Sequence, residues 1–149
     1  ALTGAVGVGS TFTAYLFGTT FPAGSVITSA TNDVATSETT TSATYTDLAT
    51  SGPAVTISPG TTENQLISVG GRLTNNTAGA LVLMSPSIAG ATAADADAMG
   101  GSGDGNNFTM ASFLTRAASV ADASTHTCKY RVGSGTGTFV ARRIVAHTL

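Results

Sequence analysis

Two histidines, one cysteine and eight carboxylates are the groups from which this 149-residue chain would have to build acid–base, nucleophilic or metal chemistry. His126 and Cys128 stand two apart, the spacing that puts both on one face of a strand. An imidazole beside a thiol makes a nucleophilic pair only when a carboxylate orients the histidine and the thiol is accessible. Asp122 is the only acid nearby in sequence, and no nucleophile-elbow motif is present. The alternation around the pair instead turns both side chains into a core, and Cys128 reads as a small buried hydrophobe. Asp95-Ala96-Asp97, followed by Asp104-Gly105-Asn106-Asn107, is the best candidate for a cation site. Oxygen ligands two apart suit Ca²⁺, but the spacing is not that of an EF-hand loop and no Glu closes it. Asp and Asn also populate turns by bonding their own backbone, so a solvated loop is the plainer reading. The glycines of GSGTG and GGSGDG precede no helix and no Walker lysine, so they are not phosphate loops. No catalytic residue, cofactor or metal is expected, and the chain is not read as an enzyme.

The composition points the same way. Only 9% of residues are charged and no Lys or Arg precedes Arg72, against about 25% charged in an average domain. Ser and Thr must therefore keep the surface wet, as in the run Thr36-Ser37-Glu38-Thr39-Thr40-Thr41-Ser42. Active sites need converging ionisable groups, and few are available here. The later bases are scattered, which argues against nucleic acid, and no apolar run reaches the roughly 20 residues of a membrane span. With 42% apolar residues, no Trp and 18 Gly, the chain has enough for one thin core. The N-terminal stretch lacks the positive region of a signal peptide, so synthesis in a cytoplasm without classical export is expected.

The elements that would position these groups are strands. Ala43–Leu48, Ala54–Ser58, Gln65–Asn75, Ala80–Ala89, Asn106–Ala117, Ser124–Val132 and Thr138–Thr148 carry β-branched or alternating residues between turn clusters. In Ser124–Val132, His126, Cys128, Tyr130 and Val132 share a face. The last strand sets Phe139, Ala141, Arg143 and Val145 against Val140, Arg142, Ile144 and Ala146, so one of Arg142 and Arg143 must face inward or pair; which one is open. Gly133–Gly137 suits a hairpin, and Pro86 predicts an edge or a bulge. The glycine-rich Met99–Gly105 reads as a connection, with one helical turn plausible in Ala91–Met99. Thr11–Phe17 alternates like a half-buried strand, and a polar stretch to Ser42 follows as hinge or edge. The expected fold is all-β: an antiparallel, jelly-roll-like sandwich at 34–149, with an extended N-terminal arm at 1–33.

Three segments together resemble a β-rich domain in virion proteins of tailed phages, of the kind found with actinobacteria: ATSETTTSATYTDLATSGPAVTI (Ala35–Ile57), NNTAGAL (Asn75–Leu81) and KYRVGSGTGTFVARRIVAH (Lys129–His147). The preceding FPAGSVITSATND resembles the lead-in to phage fibre domains. The resemblance implies a jelly-roll-like domain at the end of a tail fibre or on a capsid surface, and it brings no catalytic residues. The shaft repeats usual in fibres are absent: there is no G-x-y period and no heptad. A lone module with a short arm suits a capsid decoration protein on the virion surface, binding the major capsid protein and itself as a homotrimer. Phe12, Leu16, Phe17 and Phe21 would be the arm's capsid-docking anchors, each contributing about 1.5–3 kcal/mol on full burial. The alternative is a tail-fibre or tail-tip module binding a host surface glycan; a bacterial carbohydrate-binding or adhesin domain is a further class. Neither nucleic acid nor a membrane is an expected partner.

Overall fold

The computed structural model describes residues 15–16, 19–20, 27–103 and 108–149. Among the described residues, eleven strands run in chain order: β1 (Tyr15–Leu16), β2 (Thr19–Thr20), β3 (Ser29–Val34), β4 (Glu38–Thr40), β5 (Ala54–Ile57), β6 (Glu63–Asn75), β7 (Leu81–Ser87), β8 (Met99–Ser102), β9 (Thr109–Val120), β10 (Ser124–Val132) and β11 (Gly137–Thr148). β1 pairs with β2. The rest form two antiparallel sheets, β5-β10-β7-β8 and β3-β11-β6-β9, with β4 added to β11. Numbering the eight strands β3 and β5–β11 from one to eight, the sheets read 1-8-3-6 and 2-7-4-5, the order of a jelly roll built from two Greek keys. The all-β sandwich expected from the sequence is the observed architecture.

The core lies between the sheets. One sheet contributes Ile57, Val82, Met84, Cys128, Tyr130 and Val132, and the other Ile67, Val69, Leu73, Phe139, Ile144 and Ala146. Tyr130 and Phe139 meet edge to face with centroids 4.8 Å apart, a contact worth about 0.5–1.5 kcal/mol beyond burial. Strand β10 follows the period-two pattern: His126, Cys128, Tyr130 and Val132 are all buried. Pro86 lies opposite Cys128, two residues past the end of β8's pairing at Met84–Met99. The Cys128 N–H goes to Pro53 O on the other side, so proline's missing donor points where no strand follows, as its chemistry requires.

Four expectations are corrected. The Gly133–Gly137 link is not a hairpin: β10 and β11 belong to different sheets, because jelly-roll connections carry the chain from one sheet to the other. Ala43–Leu48 is not a regular strand and makes only the bridge Thr46–Tyr130. There Ser42 Oγ donates to Thr44 O at 2.6 Å, a local bond that competes with a ladder. Met99–Ser102 is a strand rather than a connection. Gly100, at φ +153°, lies so close to β7 that a Cβ would collide with the Val82 carbonyl, so glycine here serves close approach rather than a turn. Finally, β3 crosses the boundary expected at residue 33. Ser29–Val34 pairs with Arg142–His147, so the end of the expected arm is an edge strand of the sandwich.

Candidate interaction surfaces

The inward-facing chemistry is structural. His126 accepts the Ala89 N–H at Nδ1, 3.1 Å away, which leaves Nε2 to donate to Gln65 Oε1 at 2.6 Å. Burial lowers the pKa of His126, and burial pushes the Cys128 thiol up to about 12. A neutral imidazole locked by two bonds and a thiol kept protonated form no nucleophilic pair.

Arg142 is the arginine that faces inward, and a bulge turns it there. Val140 opposes Arg72 while Arg143 opposes Gly70, so Ala141 and Arg142 together face the single residue Gly71. Ala141 takes φ +50°. The extra residue shifts the phase, and Phe139 and Arg142 end on the same inner face although two residues separate them, where regular alternation would put them on opposite faces. The fully buried guanidinium donates to Glu38 Oε2 at 2.7 Å and lies over the Tyr130 ring at 5.3 Å. Burial raises the Glu38 pKa, but the Thr50 hydrogen bonds and Arg142 outweigh it and hold the carboxyl below its usual value. Glu38 was the residue sequence reasoning missed; its signal was a lone acid in a Thr/Ser run opposite a strand with two adjacent arginines.

The acids are likewise engaged with protein groups. Asp95 takes a two-point contact from Arg131 and a hydrogen bond from the Tyr45 hydroxyl at 2.9 Å. The Arg131 contact, then Tyr45, holds the Asp95 carboxyl below its ordinary range, while burial first and Asp95 second push Tyr45 up to about 12. Asp97 closes the 3₁₀ turn Asp95–Asp97, and Asp104 lies outside the described residues. Among the described residues no three His, Cys, Asp or Glu stand together as a metal set, and no helix is long and apolar enough to cross a membrane. Of the expected docking anchors, Phe12, Phe17 and Phe21 lie outside the described residues, and Leu16 is placed in β1 opposite Thr19.

What remains are the two outer faces of the sandwich, and they differ. On the β5-β10-β7-β8 side the cations are matched: Lys129 Nζ meets Asp47 at 2.7 Å and Arg131 meets Asp95. Thr56 and Thr125 share a hydrogen bond across β5 and β10 at 2.8 Å. A polar hollow of about 360 Å³ opens there between Tyr45, Asp47, Thr92 and Lys129. On the β3-β11-β6-β9 side, strand register lays out rows: Asp33–Arg143–Gly70–Ser112, then Thr31–Val145–Ser68–Leu114, then Ser29–His147–Leu66–Arg116. Asp33 pairs with Arg143, whose contact draws its carboxyl pKa down. Arg72 stacks on Phe108 at 4.9 Å, and among the described residues no carboxylate pairs with Arg72 or Arg116.

No family model and no curated protein matches the chain. Among solved structures, it is similar to the C-terminal CBM6 of LamC, a marine laminarinase from Zobellia galactanivorans, at 17% identity and a TM-score of 0.38, over 77% of this chain and 98% of that one. It is also similar to a chain in the structure of infectious bursal disease virus, Gx strain, at 13% identity and a TM-score of 0.45, over 99% of this chain and 36% of the other.

Proposed function

We propose that the chain is a non-enzymatic structural protein of a tailed-phage virion, a head decoration protein that binds the major capsid protein lattice as a homotrimer and stabilises the shell. The observation that carries this reading is how the three segments behind the phage resemblance pack together. Thr46 and Tyr130 exchange backbone bonds at 3.0 and 2.9 Å, and the Tyr130 hydroxyl donates to Gly52 O at 2.6 Å. The Asn75 amide donates to Leu81 O and Ser134 O at 3.2 and 2.9 Å. TYTDL, SGPAV, NNTAGAL and KYRVGSGTG are thus one spatial unit, so the resemblance concerns a folded module rather than scattered turns.

Surface chemistry supports the same reading. Load-bearing attachment needs flat faces and backbone edges, not convergent acids and bases, and this chain offers the former. The N-terminal residues would add main-chain bonds to a lattice neighbour, with Phe12, Leu16, Phe17 and Phe21 as apolar anchors. Since Ser29–Val34 belongs to the sandwich, the arm to test is residues 1–26. Deleting them is expected to leave a folded protein that no longer binds capsids. Immunogold labelling of the parent particle tests the location directly: gold over the head supports decoration. Gold at the tail would instead favour the second reading, a tail module binding a host glycan, for which the hollow between Tyr45, Thr92 and Lys129 is the observation.

A further inference from the structure

The sheet β3-β11-β6-β9 carries a glycine that its own packing does not require. Gly70 sits in the middle of the long strand β6, with Val69 buried behind it and its own Cβ position pointing outward. A Cβ there would meet only Ala111 O at 3.8 Å and the Ser112 Cβ at 4.0 Å, ordinary contacts, and the backbone needs no positive φ. Glycine weakens a strand interior and often marks where another molecule approaches closely. Its absent side chain is the floor of an open hollow of about 530 Å³, walled by Arg143, Asp33, Arg72, Met110 and Ser112. Arg143 is Gly70's direct cross-strand neighbour, and Arg72 is the next residue on the same face of the same strand.

The surroundings have the chemistry of an interface. Met110 is 82% exposed, Leu114 58% and Phe108 39%, and all three belong to β9 or its approach. Exposed Met, Arg and aromatic residues without Lys are the composition found at protein contacts. Three strands of 12–13 residues and the six-residue β3, at about 4.8 Å spacing and about 3.3 Å per residue, offer on the order of 700 Å² of face, close to the roughly 800 Å² each partner gives a standard interface. Across the three rows and Arg72, three arginines face one carboxylate, Asp33.

We infer that this face docks on an acidic protein surface of the lattice, with a partner carboxylate seated over Gly70 between Arg72 and Arg143; this rests on the virion reading above. Charge complementarity argues against a second copy as the occupant. Asp33, Glu38, Asp47 and Asp95 are each already paired with a cation of their own chain. The other described acids are separated: Glu63 begins β6, Asp122 binds Gly60 N in the β9–β10 turn, and Asp97 lies between β7 and β8.

The test is co-sedimentation of the full-length protein with parent particles stripped of it, over a range of NaCl. Wild type should bind and weaken as salt rises. R72E/R116E should lose at least tenfold in affinity. Gly70→Val should lose as much while its Tm stays level or rises, which separates a filled hollow from a damaged fold. T125E/S102E, on the opposite outer face, should stay within twofold of wild type. If wild type binds and the face variants bind equally well, the face proposal is overturned and the virion reading stands. A wild type that does not bind overturns both. Self-association without particles, abolished by R72E/R116E, would overturn the acidic lattice partner in favour of a second copy. Equal, salt-sensitive binding to alginate, lost in Gly70→Val, would overturn it in favour of an acidic glycan.

Discussion

Arg142 and His126 decide most at the level of single residues. A buried ion pair is weak evidence of net stability, but removing one partner strands a charge in the core. Glu38→Ala should therefore destabilise the fold by about 3–5 kcal/mol, and the double variant Glu38→Leu/Arg142→Met should recover most of the loss, both read by urea denaturation. If the double variant is no better than the single one, the loss comes from the strand pairing of Glu38 rather than from the stranded guanidinium. His126 gives a pH dependence with a definite sign. Its folded pKa lies below the ordinary 6.5, so on acidification the unfolded chain takes up the proton first. The stability linked to it is complete above 6.5 and is lost as pH falls through that value toward the folded pKa. Wild type should thus weaken between pH 7.5 and 5.5, before the carboxylates begin to titrate, and His126→Gln should show a flatter slope. Equal slopes would remove His126 as the cause.

Strands were legible wherever period two was undisturbed. Ser124–Val132 was placed to the residue, because every second side chain is large and apolar or buried and polar. β11 shows what the alternation could not convey. Its pattern is regular on paper, yet the bulge at Ala141 reverses inside and outside halfway along, and a bulge residue in the left-handed region need not be glycine. Likewise the glycines of Met99–Ser102 signalled a loop although close strand approach was their purpose. Local patterns report which face a residue is on, not which sheet its neighbour joins, so Gly133–Gly137 looked like a hairpin. The bulge yields its own test. Ala141 stands at φ +50°, where an L-residue pays a steric cost that glycine avoids. Ala141→Gly should stabilise by up to about 1 kcal/mol; a clear loss of Tm would mean that the Ala141 methyl contributes packing worth more than the strain.

As a whole, the molecule sets two chemically different outer faces around one core. The sequence made the all-β class readable, and with it β5, β6, β7, β9, β10 and β11, but β8 read as a connection and β3 and β4 fell in a Thr/Ser stretch read only as hinge or edge. It could not reveal the asymmetry of the faces, which arises only when Arg72, Arg116 and Arg143, contributed by three strands, come into register. Chelator should leave the Tm unchanged, because Asp95 is committed to Arg131 and Tyr45; a drop on adding EDTA would restore the calcium reading of Asp95, Asp97 and Asp104.

The order of the strands also governs when the chain can fold. β11 lies between β3 and β6 and borders β4 as well, so β3 and β4 must wait for β11 before they join the sheet that β6 and β9 already share. At about 5–20 residues per second, a growing chain spends seconds with β3, β4 and β6 made but lacking their common neighbour. Such distant pairing folds slowly, on the order of milliseconds to seconds even once the chain is complete. A chain that stops before Gly137 therefore lacks the strand that ties β3 and β4 to β6, and should not reach the folded state.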